Sequence, residues 1–187
     1  CRMTILGDKA QTLDEQMRDV LQFLPGVFDQ KIRKIVMNKS YRNTMEIARY
    51  AEKLTGVKDV ELLKRHGKEV VEEQFQTENA VLDEILSKAK LGEDEYETAA
   101  IIAMTEAEAS TLYQILKARG EEVHYIDRNS SAFKKGLTVT TFYLAKGLEF
   151  DQVFGVFQNA GNPMLNQAKY ICATRALHEL YMYQITE

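Results

Sequence analysis

The sequence LTVTTFYLAKGLEFD, at residues 137–151, combines a strand pattern with an abrupt break. Its first half is rich in β-branched residues, which favour a strand. The pattern stops at Lys146 and Gly147, which suit a loop, and residues 153–157 then predict a second strand. Ligands of open α/β sheets bind beside loops that follow strands, so this loop is a candidate ligand site. A buried strand followed by a polar turn is the alternative interpretation.

Strands and helices alternate along the rest of the chain. The apolar run at residues 98–104 predicts a strand that is covered on both faces. Stretches with apolar residues at helical spacing lie between such runs. This alternation predicts an α/β fold, a three-layer domain with a mainly parallel sheet and helices on both faces. The other predicted strands cover residues 3–6, 32–37, 69–75, 123–126 and 180–185.

Capping residues predict where several helices start. Asn43 with Glu46, and Thr105 with Glu108, have the spacing of a capping box. An Asn-Pro pair at residues 162–163 suits an N-cap followed by the first helical position. Further helices are predicted to begin near residues 13 and 79.

Composition indicates an ordinary globular domain. The chain has 187 residues, of which 45% are hydrophobic and 28% charged, enough for one domain with a sizeable core. No apolar run reaches membrane-spanning length, so we expect no membrane partner. Its two cysteines cannot form a disulfide framework, which predicts a reducing, cytoplasmic setting. Because the chain opens on Cys1 and runs directly into a strand-like pattern, we expect a piece of a longer protein.

The charge distribution gives a mixed indication about nucleic acid. A net charge of −4 argues against strong solitary binding, because domains that hold nucleic acid by themselves are usually basic. Five basic residues and no acidic residue nevertheless lie at positions 31–42. This cluster is either a phosphate-facing patch or a solvated face.

Common catalytic and nucleotide-binding signatures are absent from the sequence. Its three histidines are far apart and have no partner at metal-ligand spacing, so no metal site is predicted. No Ser-His-Asp or Cys-His arrangement is indicated. The chain also contains no G-x-G-x-x-G and no G-x-x-x-x-G-K-[ST] motif. It therefore lacks a phosphate-binding loop of its own.

Four polar side chains in separate loops nevertheless suit a polyphosphate. Gln11 could orient a water molecule or a phosphate oxygen. Arg42 and Arg175 are forked donors that could neutralise charge on a transferring phosphoryl group. Glu149 could accept a hydrogen bond from a ribose hydroxyl. Each residue alone is a weak indication.

Taken together, these loops resemble conserved motifs of one enzyme family. The segments GDKAQ (7–11), SYRNTMEI (40–47), TVTTFYLAKGLEFDQVF (138–154) and YICATRALHEL (170–180) are similar to motifs III, IV, V and VI of the UvrD/Rep-type superfamily 1 DNA helicases. The motifs occur in the family's order, and with their connecting elements they account for nearly all of residues 1–187. The resemblance implies the second RecA-like motor domain, with a P-loop domain of the same parent chain upstream.

The resemblance also implies roles for individual residues. ATP and Mg²⁺ would be held mainly by the missing P-loop domain. Gln11 would sense the γ-phosphate and couple it to the DNA groove, and Arg42 and Arg175 would be directed at the γ-phosphate from across the cleft. Gly147 and Glu149 would lie near the nucleotide. Thr141 and Tyr143 would contact single-stranded DNA. ATP binding and release would then drive domain motion, and the isolated domain would not hydrolyse ATP.

The sequence departs from this family in two places. After Gln11 the family often carries an aromatic run that stacks on bases, whereas residues 12–15 read TLDE and leave such stacking unsupported. Between motifs IV and V, UvrD and Rep carry a large inserted domain, whereas residues 48–137 read as β-α-β elements. This places the chain nearer the helicase IV/HelD-like branch.

Two other functions stay open at this point. In some members of the HelD-like branch the motor acts on RNA polymerase, so the domain could be a nucleotide-switched polymerase-binding module that does not unwind DNA. A Rossmann-like small-molecule binder with chance motif matches is the third interpretation.

Overall fold

The computed structural model describes residues 4–7, 20–28, 33, 35–36, 39–40, 42–56, 61–62, 64–92, 96–130, 134–158 and 160–186. The helices are α1 (Val20–Val27), α2 (Met45–Thr55), α3 (Glu78–Lys88), α4 (Glu106–Ala118) and α5 (Leu165–Arg175). The strands are β1 (Lys39–Ser40), β2 (Glu61–Leu62), β3 (Val71–Phe75), β4 (Thr98–Ala103), β5 (Val123–Tyr125), β6 (Gly136–Thr141), β7 (Phe150–Phe157) and β8 (Ala176–Ile185).

Six strands form one sheet in the order β3-β8-β7-β4-β6-β5, and every neighbouring pair is parallel. Their N-terminal ends therefore share one edge of the sheet and their C-terminal ends share the opposite edge. We call these the N-terminal edge and the C-terminal edge. The short strands β1 and β2 pair separately, also in parallel.

Helices cover both faces of the six-stranded sheet. Side chains of β4 alternate between the faces, as strand geometry requires: Ala100 and Ile102 point to one, Ala99, Ile101 and Ala103 to the other. The first face packs against α2 and α5, and the second against α3 and α4. Burial on both faces explains the continuous apolar sequence of β4. The predicted three-layer α/β fold is confirmed.

The predicted capping box at Asn43 and Glu46 is wrong. The N-cap of α2 is Thr44, whose hydroxyl accepts a hydrogen bond from the Ile47 amide at 3.4 Å. The side chain of Asn43 instead donates to backbone carbonyls of α5 and β8. Glu46 accepts hydrogen bonds from residues 66 and 67. Both side chains therefore form hydrogen bonds with distant residues instead of capping the helix.

The other predicted helix starts agree more closely with the structure. Thr105 and Glu108 form the capping box of α4, each side chain accepting from the other's backbone amide. Helix α5 begins at Leu165 rather than directly after Asn162. The Asn162 side chain accepts from the Met164 amide at 2.9 Å, so it stabilises the turn before the helix.

Two strands predicted near the N-terminus are not found in the described residues. Residues 4–6 of the first adopt no strand, and Leu6 is 84% exposed. Residues 33, 35 and 36 of the second adopt none either. Apolar and β-branched composition favours a strand where neighbours supply hydrogen bonds and packing. The described residues of these two segments pair with no strand of the sheet.

Candidate functional site

Glu149 and Arg175 lie side by side at the N-terminal edge of the sheet. Residues 142–149 lead from the end of β6 back to the start of β7. Glu149 immediately precedes β7, Arg175 immediately precedes β8, and the first residues of these two strands, Phe150 and Ala176, are register partners. The end of the candidate loop at Glu149 thus lies at the opposite edge from the one where open α/β sheets bind ligands.

Arg42 joins this pair through an ion pair with Glu149. Its Nη2 lies 2.6 Å from Glu149 Oε1, and the two side chains are 44% and 42% exposed. The neighbouring Asn43 fixes the backbone here, because its amide donates to the carbonyls of Ala173 at 2.9 Å and Ala176 at 2.7 Å. The segment before α2 is thereby attached to the end of α5 and the start of β8.

Arg175 is the buried member of the cluster, with only 4% of its surface exposed. Its Nη1 donates to the Leu148 carbonyl at 3.1 Å, and its Nε and Nη2 donate to Thr174 Oγ1. Gly147, just before Leu148, has a φ of 97°, a left-handed conformation that favours glycine. Residues 147–149 therefore contact both arginines, Arg175 through a backbone carbonyl and Arg42 through a carboxylate.

A third arginine, Arg65, belongs to the same surface. It donates to the carbonyls of Arg42 at 3.3 Å and Leu177 at 3.4 Å, and to Nδ1 of His178 at 2.7 Å. Partial burial and the charge of Arg65 lower the pKa of His178, which favours the neutral ring that this hydrogen bond requires. No sequence pattern singled out Arg65; a basic run at residues 64–66 was the available signal.

The segment containing Arg65 is attached to α2 by a buried carboxylate. Glu46 accepts from His66 Nδ1 at 2.9 Å and from the Gly67 amide at 2.7 Å. These hydrogen bonds lower the pKa of Glu46 to about 2. A Cβ atom on Gly67 would lie 2.5 Å from Cγ2 of Thr44, so only glycine fits without displacing the N-cap of α2.

A second buried carboxylate, Glu179, lies in the first half of β8. Lys68 contacts its Oε1 at 2.9 Å, and Gln152 and Tyr181 donate to its Oε2 at 2.9 and 2.7 Å. Lys90 adds a contact at 3.2 Å. Burial alone would raise the pKa of Glu179, but these hydrogen bonds lower it to about 2. The N-terminal edge thus combines several cations with carboxylates that stay ionised.

Thr141 and Tyr143 lie at the C-terminal edge, away from the arginines. Thr141 is 1% exposed, and its hydroxyl has no hydrogen-bond partner among the described residues. Tyr143 is half-buried, and its hydroxyl donates to Glu106 Oε1 at 2.7 Å. The six-residue strand β4 separates the two edges by about 20 Å at roughly 3.3 Å per residue. The structure therefore divides the predicted site residues into two groups.

Gln11 lies outside the described residues, as does most of the segment GDKAQ. Of the basic cluster at 31–42, Arg33 is exposed and Arg42 is ion-paired; the other three side chains are outside the described part. The described residues contain no group of three or more His, Cys, Asp or Glu side chains that could hold a metal ion. No helix among them has the length and apolar content needed to cross a membrane.

Comparison with solved structures finds helicase domains that are similar to this chain. The C-terminal domain of a possible DNA helicase from Lactobacillus plantarum WCFS1 is 30% identical, with a TM-score of 0.61 over 78% of this chain and 88% of that chain. Arterivirus nonstructural protein 10, a helicase, is 12% identical, with TM-scores of 0.40 in complex with DNA and 0.41 without it. Those matches cover 62% of this chain and 28% and 27% of the viral chains. No protein-family model and no curated protein matches the sequence.

Proposed function

The chain belongs to the family of this C-terminal domain of a possible DNA helicase, and we propose that it is the second motor domain of an ATP-dependent superfamily 1 DNA helicase or translocase. Within that superfamily we propose that residues 1–187 lie nearer the helicase IV/HelD-like branch. The P-loop domain would lie in the same longer protein and would hold most of the ATP and Mg²⁺.

The observation that carries the proposal is that Arg42 and Arg175 both contact residues 147–149, Arg42 through the carboxylate of Glu149. Arginine forks match the oxygen atoms of phosphate groups and can stabilise the charge that spreads over a transferring phosphoryl group. Arg42 already holds an anionic oxygen, that of Glu149, at 2.6 Å. A phosphate oxygen that replaced the Glu149 carboxylate would meet the same guanidinium group.

Arg175 fits a phosphate only after a rearrangement. In the present conformation its guanidinium faces the Leu148 carbonyl and is almost fully covered. Residues 147–149 would have to move for it to face a ligand, and the left-handed Gly147 is a position where such a change in backbone angles is sterically easy. We therefore propose that nucleotide binding releases both arginines from residues 147–149 when the two motor domains close.

Further residues complete the proposed sites. Gln11 would orient the attacking water or a phosphate oxygen, and the Glu149 carboxylate, once released by Arg42, could accept from the ribose. When bound, Mg²⁺ would neutralise phosphate charge and the P-loop would orient the phosphates. Thr141 and Tyr143 would form part of the contact with single-stranded DNA at the C-terminal edge. Because Thr141 is buried, it would act through packing unless this edge opens.

Hydrolysis of ATP by the longer parent protein, with and without single-stranded DNA, tests this function. We expect DNA-stimulated hydrolysis that is lost in Arg175→Lys, which keeps the charge but not the fork. Arg119→Lys is the matched control, because Arg119 pairs with Asp83 between α3 and α4, away from residues 147–149. The isolated chain should not hydrolyse ATP; turnover by it that requires Arg175 would contradict the proposal.

The same assay separates the proposal from its alternative. Hydrolysis that needs Arg175 but is indifferent to DNA would keep the nucleotide site and favour the polymerase-binding module. Co-purification of the parent protein with RNA polymerase, without strand separation on a tailed duplex, would then be the expected companion result.

A further inference from the structure

Three neighbouring loops place an acid, a cation and an aromatic ring together at the C-terminal edge. Glu106 follows β4 as the first residue of α4, Arg128 follows β5, and Tyr143 follows β6. These strands are consecutive in the sheet order. The C-terminal edge is where open α/β sheets bind ligands, and none of the residues is local in sequence to another. The cluster is therefore a product of the fold.

The three side chains share one oxygen atom. Glu106 Oε1 accepts from Tyr143 Oη at 2.7 Å and from Arg128 Nε at 2.8 Å. The Arg128 guanidinium carbon lies 5.9 Å from the centre of the Tyr143 ring, within cation–π range. Arg128 is 73% exposed and Glu106 is 49% exposed. An exposed ion pair of this kind contributes little to folding, so the fold does not depend on it.

The turn that carries Arg128 is well fixed. Asp127 Oδ1 accepts from the Asn129 amide at 3.0 Å and from the Ser130 hydroxyl at 2.8 Å. The Asp127 amide in turn donates to Ser130 Oγ at 3.0 Å. Arg128 is thus an exposed cation held on an ordered turn beside an aromatic ring, an arrangement that suits stacking bases and a charged backbone.

We propose that Arg128 and Tyr143 bind one nucleotide of single-stranded DNA, with the base against the Tyr143 ring and the adjacent phosphate on Arg128, and that Glu106 is the counter-ion that this phosphate replaces. The inference rests on the proposed DNA contact at this edge and adds two residues, Arg128 and Glu106, that the sequence did not indicate. After a phosphate replaces Glu106 as the partner of Arg128, Glu106 still accepts the hydrogen bond from the Tyr143 hydroxyl. The orientation of the ring is therefore retained.

Binding of a fluorescein-labelled oligothymidylate of about 12 nucleotides to the 187-residue chain, followed by fluorescence anisotropy over a range of salt concentrations, tests the inference. Arg128→Gln should weaken binding about fivefold or more and reduce the slope of log K against log salt by about 0.7, the value for one phosphate contact on a single strand. Glu106→Gln can still accept from Tyr143 and should strengthen binding about two- to fivefold, since Arg128 is no longer engaged.

A second ion pair provides matched controls. Lys135 Nζ lies 2.7 Å from Glu97 Oε1, with exposures of 72% and 66%, at the N-terminal edge. Lys135→Gln and Glu97→Gln make the same charge changes and should alter binding less than twofold. Tyr143→Phe keeps the ring but loses the hydrogen bond to Glu106, so it should weaken binding less than Tyr143→Ala, which should weaken binding at least about fivefold. Thermal melting of each variant verifies that the fold is retained.

The outcomes separate this inference from the proposed function. Binding that responds equally to Arg128→Gln and Lys135→Gln would overturn the inference and leave DNA binding in place. Failure of the unmodified chain to bind at low salt would overturn the inference, and failure of the longer parent protein to bind as well would overturn the DNA contact of the proposed function. The nucleotide-dependent part is tested separately, through Arg175 at the opposite edge.

Discussion

Replacing Glu149 with glutamine tests whether this carboxylate serves as the counter-ion of Arg42. The ion pair is short, at 2.6 Å, but its side chains are 44% and 42% exposed. Pairs this exposed contribute about 0.2–1 kcal/mol. We therefore expect Glu149→Gln and Arg42→Gln each to lower the free energy of unfolding by less than about 1 kcal/mol. Their double-mutant coupling energy should fall in the same range and shrink when salt screens the pair.

Because these substitutions should change stability only slightly, a change in the KM for ATP can be attributed to the nucleotide site rather than to unfolding. If Arg42 must leave Glu149 to reach a phosphate, Glu149→Gln removes the competing acceptor. The KM for ATP of the longer protein should then fall by about 1.4- to 5-fold, the factor that corresponds to the coupling energy. The effect should vanish in an Arg42→Gln background, and Glu97→Gln, which changes an exposed acid elsewhere, should leave KM unchanged.

Two measurements can refute this reasoning. A coupling energy above about 2 kcal/mol in urea unfolding would mean that the pair is far stronger than an exposed pair can be. A KM that rises in Glu149→Gln, and rises equally when Arg42 is absent, would refute the counter-ion role. That result would mean that the nucleotide needs the negative charge of Glu149, because glutamine can still accept a hydrogen bond from the ribose.

Three further substitutions test the framework of the N-terminal edge by urea unfolding. Arg175→Ala removes an almost fully buried charged donor and should lower the free energy of unfolding by about 1–3 kcal/mol. Arg175→Lys should lower it less. Equal decreases would show that charge and side-chain length do not matter at this position. The pKa of Glu179 is lowered to about 2 from the ordinary value of 4.5, so its contribution is present above pH 4.5 and lost as pH falls toward 2. Between about pH 5 and pH 3 the free energy of unfolding of the unmodified chain should fall by about 2 kcal/mol more than that of Glu179→Gln. Equal decreases in the two proteins would contradict the lowered pKa of Glu179. Gly67→Ala should cost about 1–3 kcal/mol, because its methyl group would lie 2.5 Å from Thr44, whereas Gly92→Ala, which meets nothing within 4 Å, is the control and should cost clearly less.

The fold class was predictable because a strand that is buried on both faces needs a continuous apolar sequence, which is easy to recognise. The apolar run at 98–104 gave β4 almost to the residue, and the Thr105 capping box gave the start of α4. The starts of β7 and β8 were predicted too late, at residues 153 and 180 instead of 150 and 176. The first residues of β7 and β8 adopt strand conformation because these two strands pair with each other, and no local sequence pattern indicates that pairing.

The sequence named individual residues for the candidate site but not their arrangement. The resemblance singled out Arg42, Glu149 and Arg175, yet nothing in the sequence indicated that Glu149 binds Arg42 or that Arg175 is buried. Arg65 and Arg128 were missed altogether. Their contacts join residues far apart in the chain, so their significance depends on which loops the sheet order brings together.

One segment connects the two edges of the sheet, and this gives the proposed motor a physical route between its sites. Residues 142–149 begin beside Tyr143 and end at Glu149. The middle of the segment is packed, with Ala145 fully buried and its amide bonded to the Thr141 carbonyl at 2.9 Å. The Leu148 amide is bonded to the Ala145 carbonyl at 3.0 Å. Because Leu148 is bonded to Ala145 and Ala145 to Thr141, the shift of residues 147–149 that would release Arg175 would have to break or move the bond between Leu148 and Ala145. If the bond moves rather than breaks, the proposed motor would pass that shift along the segment to Tyr143 at the C-terminal edge.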